Sequence, residues 1–248
     1  DGPEEIHNRM RTGKNKEGSF AQVLRGYGLL KKYCITTEIL CVVGSHNQHY
    51  PNDVYNFFKS LGIKYMTFLP LVIRDRENQG KASPDSVDSE KWGDFLISIF
   101  DEWTTNDIEN IQVQLFEETT RVAFNMEHTL CILKKKCGGV PVMEKNGDFY
   151  SCDHFVDKEH LLGNISLKSI YDMLDSDQQK AFGERKAILP LYCINCEVLD
   201  MCNGECPKNR FVTSPDGEPG LNYLCPGYKK FFKHCLPFID AIKTLQST

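Results

Sequence analysis

Hydrophobic and polar positions follow one rhythm up to about residue 130 and another beyond it. Phe20, Val23, Leu24, Tyr27 and Leu30 recur at the 3.6-residue spacing of an amphipathic helix, which Ser19 is placed to cap and which ends before Ile35. Ile35 to Val43 is β-branched and nearly unbroken in hydrophobicity, the pattern of a strand buried on both faces. Asn52 to Leu61 is helical again, with Val54, Phe57, Phe58 and Leu61 on one side and Gly62 to close it. Tyr65 to Val72 reads as a second strand. A polar loop from Arg74 to Asp88 leads into a helix whose buried face is Trp92, Phe95, Leu96, Ile99, Phe100 and Trp103. Ile111 to Phe116 is predicted as a third strand and Glu118 to His128 as a short helix.

Alternation of this kind belongs to a parallel α/β sheet or barrel. Three parallel strands alone leave a long hydrophobic edge, which natural sheets close or cover. Asp1-Gly2-Pro3 has turn chemistry suited to the middle of a fold. Further strands are therefore expected upstream of residue 1.

From Cys131 the pattern shortens. Val140 to Lys145 and Asp148 to Cys152 flank Asn146-Gly147, a pair that predicts a type I′ hairpin. Leu167 to Leu174 reads as a short helix on Ile170, Tyr171 and Leu174. Residues 193–206 lack periodicity and are punctuated by Asn, Gly and Pro, so something other than an apolar core must hold them. Gly227 to Gln246 closes the chain as an amphipathic helix with Pro237 as an expected kink. These changes divide the chain into 1–128, 129–226 and 227–248.

Composition narrows the chemistry. The 248 residues are 41% apolar, enough for a sizeable core, and the net charge of -5 gives no support to nucleic-acid or anionic-membrane binding. No stretch approaches the roughly 18 apolar residues of a membrane span, and no secretory leader precedes the first helix, so a reducing cytoplasm is expected. Against that background, 11 cysteines are many, and eight of them lie between Cys131 and Cys225. Cys34, Cys41 and Cys235 stand apart and are read as buried small hydrophobes.

The eight fall as Cys131-x5-Cys137-x14-Cys152 and, after a gap, Cys193-x2-Cys196-x5-Cys202-x3-Cys206-x18-Cys225. Eight thiols make two sets of four, and both structural zinc and iron–sulfur cubanes take four thiolates. Spacing does not separate the two metals.

The order of the motif does more. Cys137-x9-Gly147-x4-Cys152, followed by C-x2-C-x5-C-x3-C and a distant Cys225, resembles the seven-cysteine SPASM domain of radical S-adenosylmethionine (SAM) peptide-modifying enzymes. Residues 146–156 (NGDFYSCDHFV), Leu162-Gly163-Asn164-Ile165, Cys206-Pro207-Lys208 and 220–229 (GLNYLCPGYK) resemble, within that group, the anaerobic sulfatase-maturating enzymes. Asp1-Gly2-Pro3, His7, Arg11, Gly18-Ser19-Phe20 and Leu69-Pro70-Leu71 are similar to the second half of that family's barrel. The resemblance implies an α/β fold: the C-terminal part of a partial (β/α)6 radical SAM barrel, then a SPASM domain with a β-hairpin and helices around two clusters. The family's N-terminal C-x3-C-x2-C motif has no counterpart here, since the one C-x3-C, Cys202 to Cys206, has Asn209 where the third cysteine would stand. On this reading the chain by itself is not expected to cleave SAM.

Carried over residue by residue, the resemblance implies one auxiliary 4Fe–4S cluster on Cys131, Cys137, Cys152 and Cys206, and a second on Cys193, Cys196, Cys202 and Cys225. A third cluster and SAM belong to the full-length enzyme. Asp153 matches the general base that deprotonates the substrate thiol or hydroxyl, His154 is a candidate donor to cluster sulfur, and Arg11 is a candidate partner of the SAM carboxylate. The aromatics Tyr223, Tyr228, Phe231 and Phe232 are read as core beneath the clusters. The implied reaction oxidises a sulfatase active-site Cys or Ser to Cα-formylglycine. The implied partners are an unfolded sulfatase segment and a ferredoxin or flavodoxin, with the enzyme a monomer. Two alternatives stay open from the residues: another SPASM maturase that forms a thioether or carbon–carbon crosslink, and a non-catalytic module holding zinc.

Overall fold

A computed structural model describes every residue except 76, 79, 247 and 248, so two positions of the polar loop expected over 74–88 lie outside the described residues. The chain forms two compact units, residues 1–124 with 224–248, and residues 125–223. In chain order the first contains α1 (Glu4–His7), α2 (Phe20–Lys32), β1 (Glu38–Val43), α3 (Pro51–Ser60), β2 (Tyr65–Pro70), α4 (Ser89–Asn106), β3 (Gln112–Val113) and α5 (Gln114–Arg121). The second contains β4 (Val142–Met143), β5 (Asp148–Tyr150), β6 (Leu161–Asn164), α6 (Ile170–Leu174), α7 (Asp177–Arg185), α8 (Leu191–Ile194), α9 (Leu199–Cys202), β7 (Val212–Thr213) and β8 (Pro219–Leu221). The last helix, α10 (Cys225–Gln246), returns to the first unit with Pro237 inside it.

In the first unit β1, β2 and β3 pair in parallel in that order, with Cys41 opposite Phe68 and Met66 opposite Val113. One sheet face is packed: Phe68 meets Phe95 of α4 edge-on at 5.5 Å. The other face carries Leu40, 63% exposed, and Leu69. The unbroken apolar run of β1 is thus buried on one face only, against the expectation from sequence. Strand alternation sends Cys41 and Val43 to the helices and leaves Leu40 on the open side.

Several elements differ from the sequence expectation, most of all the third strand and the helix after it. The third strand spans only Gln112–Val113, because Leu115, Phe116 and Thr119 are buried at helical spacing and draw the chain into α5 from residue 114. Ser19 precedes α2, yet its hydroxyl donates to the Arg11 carbonyl, and Asn8 Oδ1 accepts the Phe20 N–H instead.

An aromatic seam joins α4 and α10. Phe100 meets Phe231 and Phe238 edge-on at 5.8 and 5.5 Å, and Trp92 meets Tyr228 at 6.0 Å. Tyr228, Phe231 and Phe232 are core of this helix pair, whereas Tyr223 belongs to the second unit and stacks on Phe211. The helices approach backbone to backbone at Gly93 and Gly227. A Cβ on Gly227 would stand 2.0 Å from the Ser89 carbonyl.

The second unit is built from small pieces. Phe149, Leu162 and Met173 form its apolar cluster under the antiparallel sheet β4-β5-β6. The first hairpin is not type I′. Gly147 N–H bonds the Glu144 carbonyl, Glu144 N–H bonds the Asp148 carbonyl, and only Gly147, at φ +86°, is left-handed. This is a type I turn closed by a left-handed glycine, a three-residue loop. The same pattern recurs at Ser214 to Gly217, between β7 and β8.

Candidate metal centre

All 11 cysteines are free thiols. Four segments of the second unit bring Cys131, Cys137, Cys152 and Cys206 to one region, and α7 is the element that ties the first three together. Ser176 caps this helix by accepting the Gln179 N–H. Gln179, Gly183 and Lys186 then follow at helical spacing along one side. Gln179 Nε2 donates to the Gly138 carbonyl (2.9 Å) and the Ser151 carbonyl (3.3 Å), tying the residue after Cys137 to the residue before Cys152. The Gly183 carbonyl accepts the Cys137 N–H at 3.1 Å. Lys186 Nζ donates to the carbonyls of Cys131 (2.9 Å) and Ile132 (2.7 Å).

The second thiol group has a different support. Asn203, Gly204 and Glu205, which join Cys202 to Cys206, are all left-handed, with φ of 46°, 70° and 51°. Three such residues in succession are strained and need outside support. Arg210 supplies it. Its guanidinium donates to the carbonyls of Gly204 (2.8 Å), Asn203 (3.1 Å) and Glu205 (3.2 Å), and also to Lys186 (2.8 Å) and Ile188 (3.3 Å). Gly204 must lack a side chain here, because a Cβ would lie 2.6 Å from Arg210 Nη2. Glu205 is buried and receives the side-chain amides of Asn209 and Asn222. Glu218 Oε2 accepts the Leu191 N–H and so fixes the start of α8, which carries Cys193.

Burial dominates the electrostatics. It raises the Cys131 and Cys137 thiols and pushes Cys152 and Cys206 up to about 12. Mutual repulsion adds to this: Cys137 feels Cys131, Cys152 feels Cys137, and Cys206 feels both Cys137 and Cys152. Burial also raises the Glu205 carboxyl and lowers Lys186 and Arg210. Lys186 faces Cys137 and Cys206, and Arg210 faces Cys193, Cys202 and Cys137.

The donor set fits thiolate-held clusters. A cubane takes each of its four thiolates on a different iron, so it needs neighbouring sulfurs rather than convergent ones. Among the described residues no three His, Cys, Asp or Glu side chains are arranged to hold one metal ion.

Asp153 occupies the tip of the turn after Cys152, closed by the Phe155 N–H on the Cys152 carbonyl at 3.0 Å. Its carboxylate is exposed and accepts from Cys152 Sγ at 3.2 Å. His154 beside it is exposed. Cys196 is half-buried, in the loop between α8 and α9, and Cys225 opens α10 in the first unit. Arg11 pairs with Asp1, Nε to Oδ2 at 2.5 Å. Cys41 and Cys235 are buried, but Cys34 is exposed in a left-handed conformation after α2, so it is not the buried hydrophobe expected.

Sequence reading missed α7, Lys186 and Arg210. The signal for α7 was present as Ser176-Asp177-Gln178-Gln179, a capping box. The second hairpin was likewise announced by Pro215-Asp216-Gly217. Nothing in the spacing marks a single Lys or Arg as buried.

Residues 141–197 match SPASM, an iron–sulfur cluster-binding domain. A serine-type anaerobic sulfatase-maturating enzyme of Bacteroides thetaiotaomicron is 42% identical over 98% of the chain. The chain is thus similar over nearly its whole length to an anaerobic sulfatase-maturating enzyme. A cysteine-type member from Clostridium perfringens is 28% identical over 96% of the chain. The solved structure of native anSMEcpe with bound AdoMet and Cp18Cys peptide superposes with a TM-score of 0.89 at 27% identity, over 99% of this chain. The chain spans 62% of the length of the Bacteroides member and 68% of the anSMEcpe chain. The α/β architecture with a cysteine-rich SPASM portion is thus the family's fold.

Proposed function

We propose that this chain supplies the auxiliary-cluster portion of a radical SAM sulfatase maturase, which oxidises a sulfatase Ser or Cys to Cα-formylglycine. The observation that carries the reading is the gathering of Cys131, Cys137, Cys152 and Cys206 from four segments, each raised by burial and by its neighbours. Those four would hold one 4Fe–4S cluster, and Cys193, Cys196, Cys202 and Cys225 a second. When bound, fully thiolate-ligated clusters supply one-electron transfer, with no open iron for substrate.

The chain's own residues supply the rest. Asp153, exposed at its turn, accepts the proton of the substrate hydroxyl or thiol as a hydrogen atom leaves the β-carbon, and clusters held by the eight cysteines would supply the acceptor for the remaining electron. Arg11, on this reading, exchanges its Asp1 contact for the SAM carboxylate. An unfolded sulfatase segment is the substrate, and a ferredoxin or flavodoxin is the reductant. The enzyme works as a monomer in a reducing compartment, consistent with 11 free thiols. Among the described residues no helix is long and apolar enough to cross a membrane. Since the 42% relative is serine-type, a Ser peptide is the first substrate to try.

The test is metal analysis of anaerobically purified protein. About eight iron and eight sulfide per chain are expected for two cubanes. Two zinc ions without iron would end the proposal.

A further inference from the structure

Lys186 and Arg210 are two cations withdrawn from water next to one another. Lys186 is 1% exposed, and Arg210 Nη1 donates to the Lys186 carbonyl at 2.8 Å. Buried charges are costly unless opposite charge faces them. Neither side chain has a carboxylate within ion-pair distance among the described residues. Glu205, the buried acid nearby, has its Oε2 occupied by the amides of Asn209 and Asn222. The groups facing the two cations are sulfurs of both thiol sets together with the Glu205 carboxyl, which lies beyond ion-pair distance of either.

Their hydrogen bonds are equally specific. Lys186 holds the loop that begins at Cys131, using two of its three N–H groups on the carbonyls of residues 131 and 132. Arg210 holds all three carbonyls between Cys202 and Cys206, and through Lys186 and Ile188 it holds the end of α7. One continuous bracket therefore joins the Cys131 loop to the left-handed turn that separates the two proposed ligand sets.

We propose that Lys186 and Arg210 are positioning residues that lock these ligand segments together and supply the buried positive charge against which the clusters are reduced. This rests on the cluster reading above. Each added electron makes a cluster more negative, so a nearby fixed cation favours the reduced form and raises the reduction potential. Lys186, whose ammonium serves the Cys131 loop, acts on the cluster held by Cys131, Cys137, Cys152 and Cys206.

The experiment is a redox titration, followed by electron paramagnetic resonance, of the 248-residue chain reconstituted anaerobically with iron and sulfide. Wild type, Lys186→Met and Lys186→Arg are compared at measured iron content. Lys186→Met is expected to shift one of the two cluster signals to a more negative potential, while Lys186→Arg keeps it near the wild-type value. A fully loaded Lys186→Met with both potentials unmoved would overturn the proposal. If Lys186→Met loses most of its iron and Lys186→Arg keeps it, charge at this position is needed for assembly, which supports the bracket. If both variants lose iron alike, shape rather than charge is required and the proposal falls. Wild-type chain that binds no iron would instead defeat the cluster reading itself, before any variant is compared.

Discussion

At Asp153 the local backbone already explains accessibility: a four-residue turn leaves the carboxylate exposed, next to Cys152. If it is the general base, Asp153→Asn in an enzyme that joins this chain to a C-x3-C-x2-C segment should lower formylglycine formation about 10²- to 10⁴-fold. Iron content should stay unchanged. Mass analysis of a Ser or Cys sulfatase peptide reads the outcome, and undiminished turnover removes Asp153 from the chemistry. Gly227 makes a prediction of a different kind. Its Cβ would lie 2.0 Å from one backbone carbonyl and 2.8 Å from the Gly93 nitrogen, neither of which can rotate away. Gly227→Ala should therefore cost at least the ~1–3 kcal/mol typical of overpacking, seen as a lower denaturation midpoint with unchanged slope. Asp153 was a candidate in the sequence through the resemblance carried by the residues around Cys152. The demand on Gly227 was not, because it arises from a helix more than 130 residues earlier in the chain.

Among the elements, α3 and α4 are joined by a polar group that responds to pH. Lys59 Nζ sits 2.6 Å from Asp107 Oδ2 and 3.0 Å from Glu102, and the Tyr55 hydroxyl donates to Asp107 Oδ2 at 3.1 Å. Burial, followed by the Asp107 charge, raises Tyr55. For Lys59 desolvation pulls downward, but the bonds to Asp107 and Glu102 outweigh it and the net shift is upward. A raised value means that the folded state holds the proton more tightly. The contribution is thus complete below the ordinary tyrosine value of 10.0 and is lost as pH rises above it. Thermal melting followed from about pH 9 to about pH 11 should show a falling midpoint. Asp107→Asn should flatten that fall while lowering the midpoint at neutral pH, at a cost of about 1.5–3 kcal/mol for lost bonds to a charged group. At this scale sequence reading did well where periodicity was long, as for α2, α3, α4 and α10. It did less well for β3 and α5, where six apolar-rich residues fit strand and helix equally and burial of Leu115, Phe116 and Thr119 decided for the helix.

For the whole molecule, the contrast between the two units sets the expectation. The first has a layered core of α4, α10 and the parallel sheet, with Trp92, Phe95, Phe231 and Phe232 fully buried. The second has strands of two to four residues and the small cluster of Phe149, Leu162 and Met173. If its thiols hold clusters, metal binding is part of its folding free energy. Chelation of iron under anaerobic conditions should then strip hydrogen-exchange protection from residues 125–223 while α4 and α10 stay protected. Uniform loss across the chain, or none, would contradict a cluster-dependent second unit.

Sequence by itself determined the parallel α/β rhythm, the cysteine-rich region and its family resemblance, because periodicity and spacing are properties of neighbours along the chain. Tertiary structure alone decided which face of β1 is covered, which helix gathers the Cys131, Cys137 and Cys152 segments, and that Lys186 and Arg210 are buried against sulfur. Those outcomes depend on charge and volume supplied from distant segments: a lysine in a polar stretch looks solvated until two carbonyls 54 and 55 residues away enclose its ammonium.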